Sequence, residues 1–345
     1  MSRADQFVFG YDDGHRLLAA SREVPRALMV RLLVATDAVM SPGCPPLVTG
    51  LALPDTRQFA FCVTWSDARA ERAGAVCSHV LLIDAAALAA PHAVEALVRL
   101  PRNPAGGSLE GFTTALTLTA DGADPPATFL SERTPSVELF ERCIQVACRT
   151  TGAGVVLHAD LAEAARAMVA LWSAMWPALR ARFSFRTREL AAADQSEFLL
   201  SAAPRLSGGT GVLERLPKPA PAWLEELACT ARSPAPGALR SFLEEFGPAE
   251  TPEPLRLRRL AELWTAVAFE DVEAAAGQIE ANWPDPGSGT ALKRALFGEH
   301  SQGWWSVGER ERVSTLLRSR HPTWNLGELD LTSRVRALAR RAHAG

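Results

Sequence analysis

The stretch DQFVFGYDDGHRLLAAS, residues 5–21, decides the fold of the N-terminal part of the chain. Two runs with strand-like composition, residues 6–11 and 15–21, flank the polar sequence Asp12-Asp13-Gly14. Aspartate and glycine supply the backbone geometry that a tight connection between antiparallel strands requires. The pattern therefore predicts a β-hairpin.

Further strands and helices follow the hairpin. Residues 57–65 and 76–84 are rich in Phe, Val, Leu and Ile and predict strands, whereas residues 26–39 carry apolar side chains at helical spacing. Asp160 and Glu163 have the spacing of a capping box, which predicts a helix start. Strands and helices intermingle, and at least one hairpin is present, which favours an α+β fold over a parallel doubly wound one. We predict a mixed or antiparallel sheet domain with flanking helices, followed by an all-α C-terminal domain.

The length of 345 residues favours two domains. Glycine and proline concentrate in residues 207–221, which is typical of a linker. We therefore predict an α+β domain at 1–205, a linker at 206–221 and a helical domain at 222–345. The helices expected in the last domain are 222–231, 236–246, 253–268, 270–282, 288–298, 307–319 and 331–342.

Composition and charge argue against several classes of function. The net charge of −3 offers no basic excess for binding nucleic acid. No stretch approaches the roughly 20 apolar residues of a membrane span, and the first residues lack a signal-peptide core, so we expect a cytoplasmic protein without membrane insertion. The six cysteines form no CxxC pair. This pattern argues against a structural zinc site and a disulfide framework, and we predict no metal site and no cofactor.

Residues 5–21 resemble the opening motif of the N-terminal domain of GTPase-associated protein 1, a family of bacterial conflict-system components. Four segments follow in the expected order: LLVATDA (32–38), PLVTGLALP (46–54), FAFCVTW (59–65) and RAGAVCSHVLLID (72–84). The resemblance thus covers about residues 5–85. A weaker likeness to the family's middle region, at about 155–205, rests on WPALRARFSFRT (176–187).

The resemblance implies a protein that is encoded beside dedicated GTPases and acts with them in bacterial immunity, including antiphage defence. It implies no catalytic residues. The sequence contains no GxxxxGK[ST] phosphate loop, so we expect any GTPase activity to lie in another protein. The leading hypothesis is a non-enzymatic adaptor or regulator that binds a partner GTPase. The candidate motif or partner-binding residues are Gln6, Tyr11, Asp13, Gly14, His15, Arg16, Trp65, Arg72, His79, Arg182 and Arg186.

Two alternatives stay open. A cysteine- or metal-dependent hydrolase would use His15, Cys77 and His79, since Cys77 and His79 lie two apart on a predicted strand and face the same side. A structural subunit of a larger protein assembly would use the helical C-terminal half as its contact surface. Five tryptophans are concentrated there, and we expect most of them to pack in the core: Trp264, Trp283, Trp304, Trp305 and Trp324.

Two local expectations concern single residues. His15 follows the tight turn and is expected to be structural, with a ring nitrogen bonded to a nearby backbone carbonyl or carboxylate. The segment 180–188 alternates arginine with apolar residues, which predicts a strand with one basic face. On this strand Arg182 and Arg186 would project from one side, while Phe183 and Phe185 pack inward.

Overall fold

The computed structural model of the protein describes residues 2–105, 107–118, 130, 136–149, 155–188, 198–204, 221–232, 237–298 and 304–320. Its strands are β1 (Ser2–Tyr11), β2 (His15–Ala20), β3 (Leu47–Leu53), β4 (Gln58–Ser66), β5 (Val76–Asp84), β6 (Leu116–Leu118), β7 (Val155–His158), β8 (Phe185–Thr187) and β9 (Leu200–Ala203). Its helices are α1 (Arg26–Thr36), α2 (Pro91–Arg99), α3 (Val137–Arg149), α4 (Leu161–Ala174), α5 (Pro177–Arg180), α6 (Ala222–Arg232), α7 (Ala238–Phe246), α8 (Pro254–Ala268), α9 (Val272–Asn282), α10 (Thr290–Phe297) and α11 (Val307–Arg320).

The nine strands of the described residues belong to one mixed sheet in the order β2-β1-β5-β4-β3-β8-β9-β7, with β6 paired beside the first residues of β1. The pairs are antiparallel except that β9 runs parallel to both β7 and β8. The predicted hairpin is confirmed, because β1 and β2 pair antiparallel from Phe7 opposite Ala20 to Tyr11 opposite His15. The predicted α+β class with a mixed sheet is also confirmed.

Helix α1 covers one face of the sheet. Leu28 and Leu32 point inward and pack in a cluster that includes Phe7 and Phe9 of β1 and Leu82 of β5. The helix begins at the predicted residue but ends three residues before the predicted end, at Thr36, because Asp37 leaves the helical conformation. Burial of the large apolar side chains in this cluster stabilises the packing of α1 on the sheet.

Helix α4 covers the opposite face. The Trp172 ring stacks on Phe59 and Phe61 of β4, with ring centroids 5.0 and 5.9 Å apart. The ring of Phe185 crosses Gly50 so closely that a Cβ at position 50 would lie 2.4 Å from a ring carbon. Asp160 caps α4 by accepting a hydrogen bond from the Glu163 amide at 2.9 Å, which confirms the predicted helix start.

The chain divides into two compact units, one of residues 1–236 with 252–255 and the other of 237–251 with 256–345. Helix α6 packs against α3 and α4 in the first unit. Apart from Pro221, the predicted linker at 206–221 lies outside the described residues, and the linker stays a prediction. Within the described ranges no helix combines the length and the apolar composition that crossing a bilayer requires.

The second unit is helical and packs around aromatic side chains. Phe242, Phe246, Trp264 and Trp304 form a contiguous ring cluster with centroid separations of 4.8 to 6.0 Å. Trp264 and Trp304 are half-buried in this cluster, and Trp283 and Trp305 are buried, so most of the described tryptophans pack in the core as predicted. Trp324 lies outside the described residues. Six of the seven helices predicted after residue 221 are present, and the seventh, 331–342, also lies outside the described residues.

Candidate functional site

The turn between β1 and β2 is exposed and tightly folded. Asp13 has φ 53° and Gly14 has φ 123°, the left-handed region that Asp tolerates and Gly adopts without strain. The Asp12 amide donates to the Gly14 carbonyl at 2.9 Å, and the Asp12 carboxylate pairs with Arg16. The turn therefore presents a fixed set of polar groups to solvent.

A β-bulge next to the turn explains the glycine at position 10. Val8 pairs with Ala19 but Phe9 pairs with Leu17, so Leu18 is the extra residue of β2. The Leu18 side chain folds across the backbone of Gly10, where an added Cβ would lie 2.7 Å from Leu18 Cδ1. The glycine of the motif thus makes room for the bulged leucine.

His15 bonds to a hydroxyl group. Its Nε2 lies 3.0 Å from Thr36 Oγ1, and that hydroxyl in turn lies 3.0 Å from the carbonyl oxygens of Leu32 and Leu33. The hydrogen bond links the hairpin to the last turn of α1, so the expected anchoring contact exists, but the predicted carbonyl or carboxylate partner was wrong. Burial lowers the pKa of His15, while the nearby charge of Asp37 acts in the opposite direction.

Gln6 and His79 form the centre of a buried polar chain. His79 Nδ1 accepts a hydrogen bond from the Arg102 amide at 3.1 Å, and His79 Nε2 lies 3.0 Å from Gln6 Oε1. The Gln6 side-chain amide donates to the carbonyl oxygens of Thr114 and Gly111. Gln6 and His79 are both fully buried. Every polar atom of the two side chains therefore has a partner.

The chain of hydrogen bonds fixes the state of the imidazole. Because Nδ1 accepts from a backbone amide, the proton of the neutral ring lies on Nε2 and is donated to Gln6. Desolvation, and secondly the charge of Arg102, lower the pKa of His79 to about 3. The edge of its ring also contacts Phe112, with the centroids 4.8 Å apart. A neutral imidazole with both nitrogens engaged is suited to holding the loop that follows α2 against the sheet.

Cys77 does not meet His79 or His15. Its sulfur donates to Asn103 Oδ1 at 3.3 Å, and His79 turns both ring nitrogens to other partners. Desolvation, with a contribution from Asp67, raises the pKa of Cys77 to about 11. At neutral pH the group is a thiol, whereas a nucleophile requires the thiolate. Among the described residues no group of three or more His, Cys, Asp or Glu side chains is placed to hold a metal ion.

Three candidate residues lie at one end of the sheet, and two of them, Tyr11 and Arg72, are in contact. Tyr11 ends β1, Trp65 lies at the end of β4 opposite Cys77 of β5, and Arg72 belongs to the connection between β4 and β5. The Arg72 guanidinium lies over the Tyr11 ring, 5.7 Å from its centroid. Arg72 is exposed, whereas Tyr11 and Trp65 are half-buried. We call this surface, formed by Tyr11, Trp65, Arg72 and the β1–β2 turn, the hairpin edge.

The predicted basic strand face was wrong. Arg182 is exposed in the turn before β8, but Arg186 is buried on β8 with its guanidinium 4.1 Å from the Phe198 ring centroid. Arg180 is also buried, in α5, where it donates to the carbonyl oxygens of Leu88 and Met175 at 2.7 and 2.6 Å. Pro177 starts a short helix here, which breaks the alternation that the sequence displays. The inward packing of Phe183 and Phe185 is confirmed, since both are fully buried.

The sequence did not identify Thr36, Arg102 and Asn103 as part of the site. Thr36 comes at the end of an apolar pattern with helical spacing. Nothing in the local sequence predicts that its hydroxyl contacts a histidine. Arg102 and Asn103 lie between Pro101 and Pro104, and this proline spacing was the one hint of a fixed loop.

Comparison with known proteins bears on the N-terminal part of the chain. Residues 3–100 match the model of the family described as GTPase-associated protein 1, N-terminal domain type 1. The matched range contains β1 to β5, α1 and α2, and hence the hairpin edge and His79. No curated protein and no solved structure matches the chain. The resemblance predicted from the sequence is thus confirmed for this domain.

Proposed function

We propose that the chain is a non-enzymatic adaptor or regulator that binds a partner GTPase through the hairpin edge. The observation that carries the proposal is the contact between Arg72 and Tyr11, which joins two separate segments of the matched domain on one exposed surface. The description of the matched domain names a GTPase-associated protein, which supports a GTPase as the partner.

The motif residues divide into two groups by burial. Gln6 and His79 are fully buried and have hydrogen-bond partners within the chain, so they stabilise the domain. Asp13, Arg16 and Arg72 are exposed at the turn and at the β4–β5 connection. Exposed polar residues on rigidly held turns are the usual means of recognition. The second group is therefore our candidate for the contact with the GTPase.

The chemistry of the hairpin edge suits a protein surface. Arginine, tyrosine and tryptophan dominate the binding energy of many interfaces, because they combine apolar area with hydrogen-bond donors. Arg72, Tyr11 and Trp65 supply these three residue types at one end of the sheet. The neighbouring Asp12–Arg16 ion pair adds a donor and acceptor whose geometry can fix the orientation of a partner.

The cellular setting belongs to the same proposal. The proposal includes a cytoplasmic role in a bacterial conflict or antiphage system with no cofactor. The net charge of −3, which offers no basic excess, supports a partner other than nucleic acid. A hydrolase using His15, Cys77 and His79 is less well supported, because these side chains bond to Thr36, Asn103 and Gln6 rather than to one another.

Membership of a larger assembly is a second candidate function. Phe269 in the connection between α8 and α9 is 68% exposed. The next residue, Glu270, has φ 53°, and its carboxylate accepts a hydrogen bond from the Ser306 amide at 3.2 Å. An exposed aromatic ring on a turn fixed in this way is suited to insertion into an apolar pocket of another subunit.

Hydrogen–deuterium exchange tests the leading proposal. The full chain is mixed in turn with each purified GTPase encoded by a neighbouring gene, loaded with GDP or with a non-hydrolysable GTP analogue. We expect slower exchange in residues 11–16 and 65–75 in one of the complexes, and no change in residues 54–58 at the opposite end of β4. Binding that protects other parts of the chain and leaves the hairpin edge unchanged would refute the assignment.

A further inference from the structure

The outward face of α1 is apolar in its centre and charged at its two ends. The exposed residues of the helix and its C-terminal cap are Arg26, Ala27, Val30, Val34 and Asp37. Their spacing places all five on one stripe along the helix axis. Val30 and Val34 are 50% and 57% exposed. A helix that is apolar on its outward face as well as its inward face is typical of one covered on both sides.

The charges at the ends of the stripe have opposite signs and no partner side chain. Among the described residues no hydrogen bond or ion pair involves the Arg26 or Asp37 side chain, although the charge of Asp37 acts on the nearby His15. Arg31, by contrast, lies beside the stripe and bonds to the Ala52 carbonyl and to Asp55. At about 1.5 Å per residue, the two unpaired charges are about 16 Å apart along the axis.

We propose that α1 pairs antiparallel with α1 of a second copy of this chain, around a two-fold axis between Val30 and Val34. In this arrangement Val30 of each copy faces Val34 of the other, and Arg26 of each copy approaches Asp37 of the other. The stripe is self-complementary, as an interface between identical subunits requires. The charges at its two ends therefore identify the occupant as a second copy.

The size of the apolar surface, which continues beyond the helix, determines how strongly the two copies associate. Val39 is 57% exposed and adds to the stripe beyond Asp37. A pair of eleven-residue helices nevertheless covers less area than the roughly 1,200 Å² of a stable interface. The association is therefore weak and reversible, and its strength falls with added salt because both end contacts are ion pairs at the rim. The pairing does not depend on a GTPase.

Sedimentation equilibrium of the full chain measures the pairing directly. We expect the average mass to rise from 37.1 kDa towards twice that value as the concentration increases through the micromolar range. Val34→Asp abolishes the rise. Val137→Asp is the matched control, because Val137 is also an exposed valine, 41% exposed on α3, and this variant dimerises like the wild type.

A charge exchange distinguishes the two-fold arrangement from other contacts. Arg26→Asp and Asp37→Arg each place like charges together and weaken dimerisation about ten-fold or more. The double variant restores both ion pairs with reversed signs and returns the dissociation constant to within about three-fold of the wild type. Circular dichroism verifies that each variant is folded. A chain that stays at 37.1 kDa at every concentration, or a double variant as weak as the single ones, would overturn the proposal.

Discussion

His79 Nε2 lies 3.0 Å from Gln6 Oε1, on a buried face of the sheet where β5 pairs with β1. The two residues come from the first and the last of the five segments that carry the family resemblance. Their hydrogen bond is therefore a link between distant parts of the matched domain, and it passes on to the Arg102 amide through the second ring nitrogen. Both side chains serve the fold of the domain.

Replacement of His79 is expected to destabilise the first unit strongly. His79→Ala leaves the buried Gln6 amide oxygen and the partly buried Arg102 amide without their partner, at about 1 to 3 kcal/mol for each group. We expect urea denaturation to give a free energy of unfolding about 3 kcal/mol or more below that of the wild type. His158→Ala is the matched control, because His158 is half-buried at the end of β7, and we expect its loss to be about 1 kcal/mol. Equal losses for the two variants would contradict the role given to the buried chain.

The ionisation of His79 predicts a pH dependence. With a pKa of about 3 in the folded protein against 6.5 in the unfolded chain, the unfolded state takes up the proton first as the pH falls. The free energy of unfolding therefore decreases between pH 6.5 and about 3, by up to about 1.4 kcal/mol per pH unit from this residue. NMR of the ring nitrogens should detect neutral His79 at pH 5. If the His79 ring titrates near pH 6.5 in the folded protein, the buried environment described for His79 is wrong.

His15 and Thr36 are expected to act as a pair. His15→Ala and Thr36→Val each remove one side of the same hydrogen bond, and we expect each to lower the free energy of unfolding by about 1 to 2 kcal/mol. The double variant should lose at least about 0.5 kcal/mol less than the sum of the single variants, because the shared bond is lost only once. If His15→Ala leaves the unfolding curve unchanged but abolishes partner binding, His15 is a recognition residue.

Two glycine-to-alanine replacements should change the stability of the protein in opposite directions. A Cβ at position 50 would collide with the Phe185 ring, so we expect Gly50→Ala to destabilise the protein by about 1 to 3 kcal/mol. Gly277 lies inside α9 with nothing within 4 Å of an added Cβ, so Gly277→Ala should stabilise the helix by about 0.5 to 1 kcal/mol. Thermal unfolding of both variants checks the prediction, and a stabilising Gly50→Ala would refute the packing of β3 under Phe185.

Cysteine labelling discriminates between the adaptor and the hydrolase. Burial raises the pKa of Cys62 and of Cys143 to about 12. Burial is also the main reason that the pKa of Cys77 is raised to about 11. Cys229, by contrast, is exposed on α6. We expect iodoacetamide at pH 7.5 to modify Cys229 first, with Cys77 labelled slowly, as measured by peptide mass spectrometry. Labelling of Cys77 ahead of Cys229 would revive the nucleophile hypothesis.

The sequence predicted much of the fold because its signals are local. The Asp12-Asp13-Gly14 turn, the Asp160 cap and the helices after residue 221 each depend on neighbouring residues, and all the described ones are present. The segment after Met175 was misjudged for the same reason. Its alternating arginines suggest a strand, but Pro177 starts a helix, and the guanidinium of Arg180 donates to the carbonyl of Leu88, 92 residues away along the chain.

The arrangement of the candidate site depends on contacts that no local pattern encodes. Gln6 and His79 are 73 residues apart, and the order of the strands decides that they meet. The motif residues also differ in burial, since His79 lies on a buried face of the sheet and Arg72 is exposed at one end of it. Sequence spacing alone put Cys77 and His79 on one face, whereas their hydrogen bonds lead to Asn103 and Gln6.

The most direct test of the central claim is the dissociation constant between the full chain and its partner GTPase, measured by isothermal titration calorimetry. Arg72→Glu removes the cation over Tyr11 and should weaken binding about 30-fold or more, the loss typical of a dominant interface residue. Arg57→Glu is the matched control, because Arg57 is an exposed arginine at the opposite end of β4 and should bind like the wild type. Equal affinities for wild type and Arg72→Glu would contradict the assignment of the hairpin edge as the GTPase-binding surface.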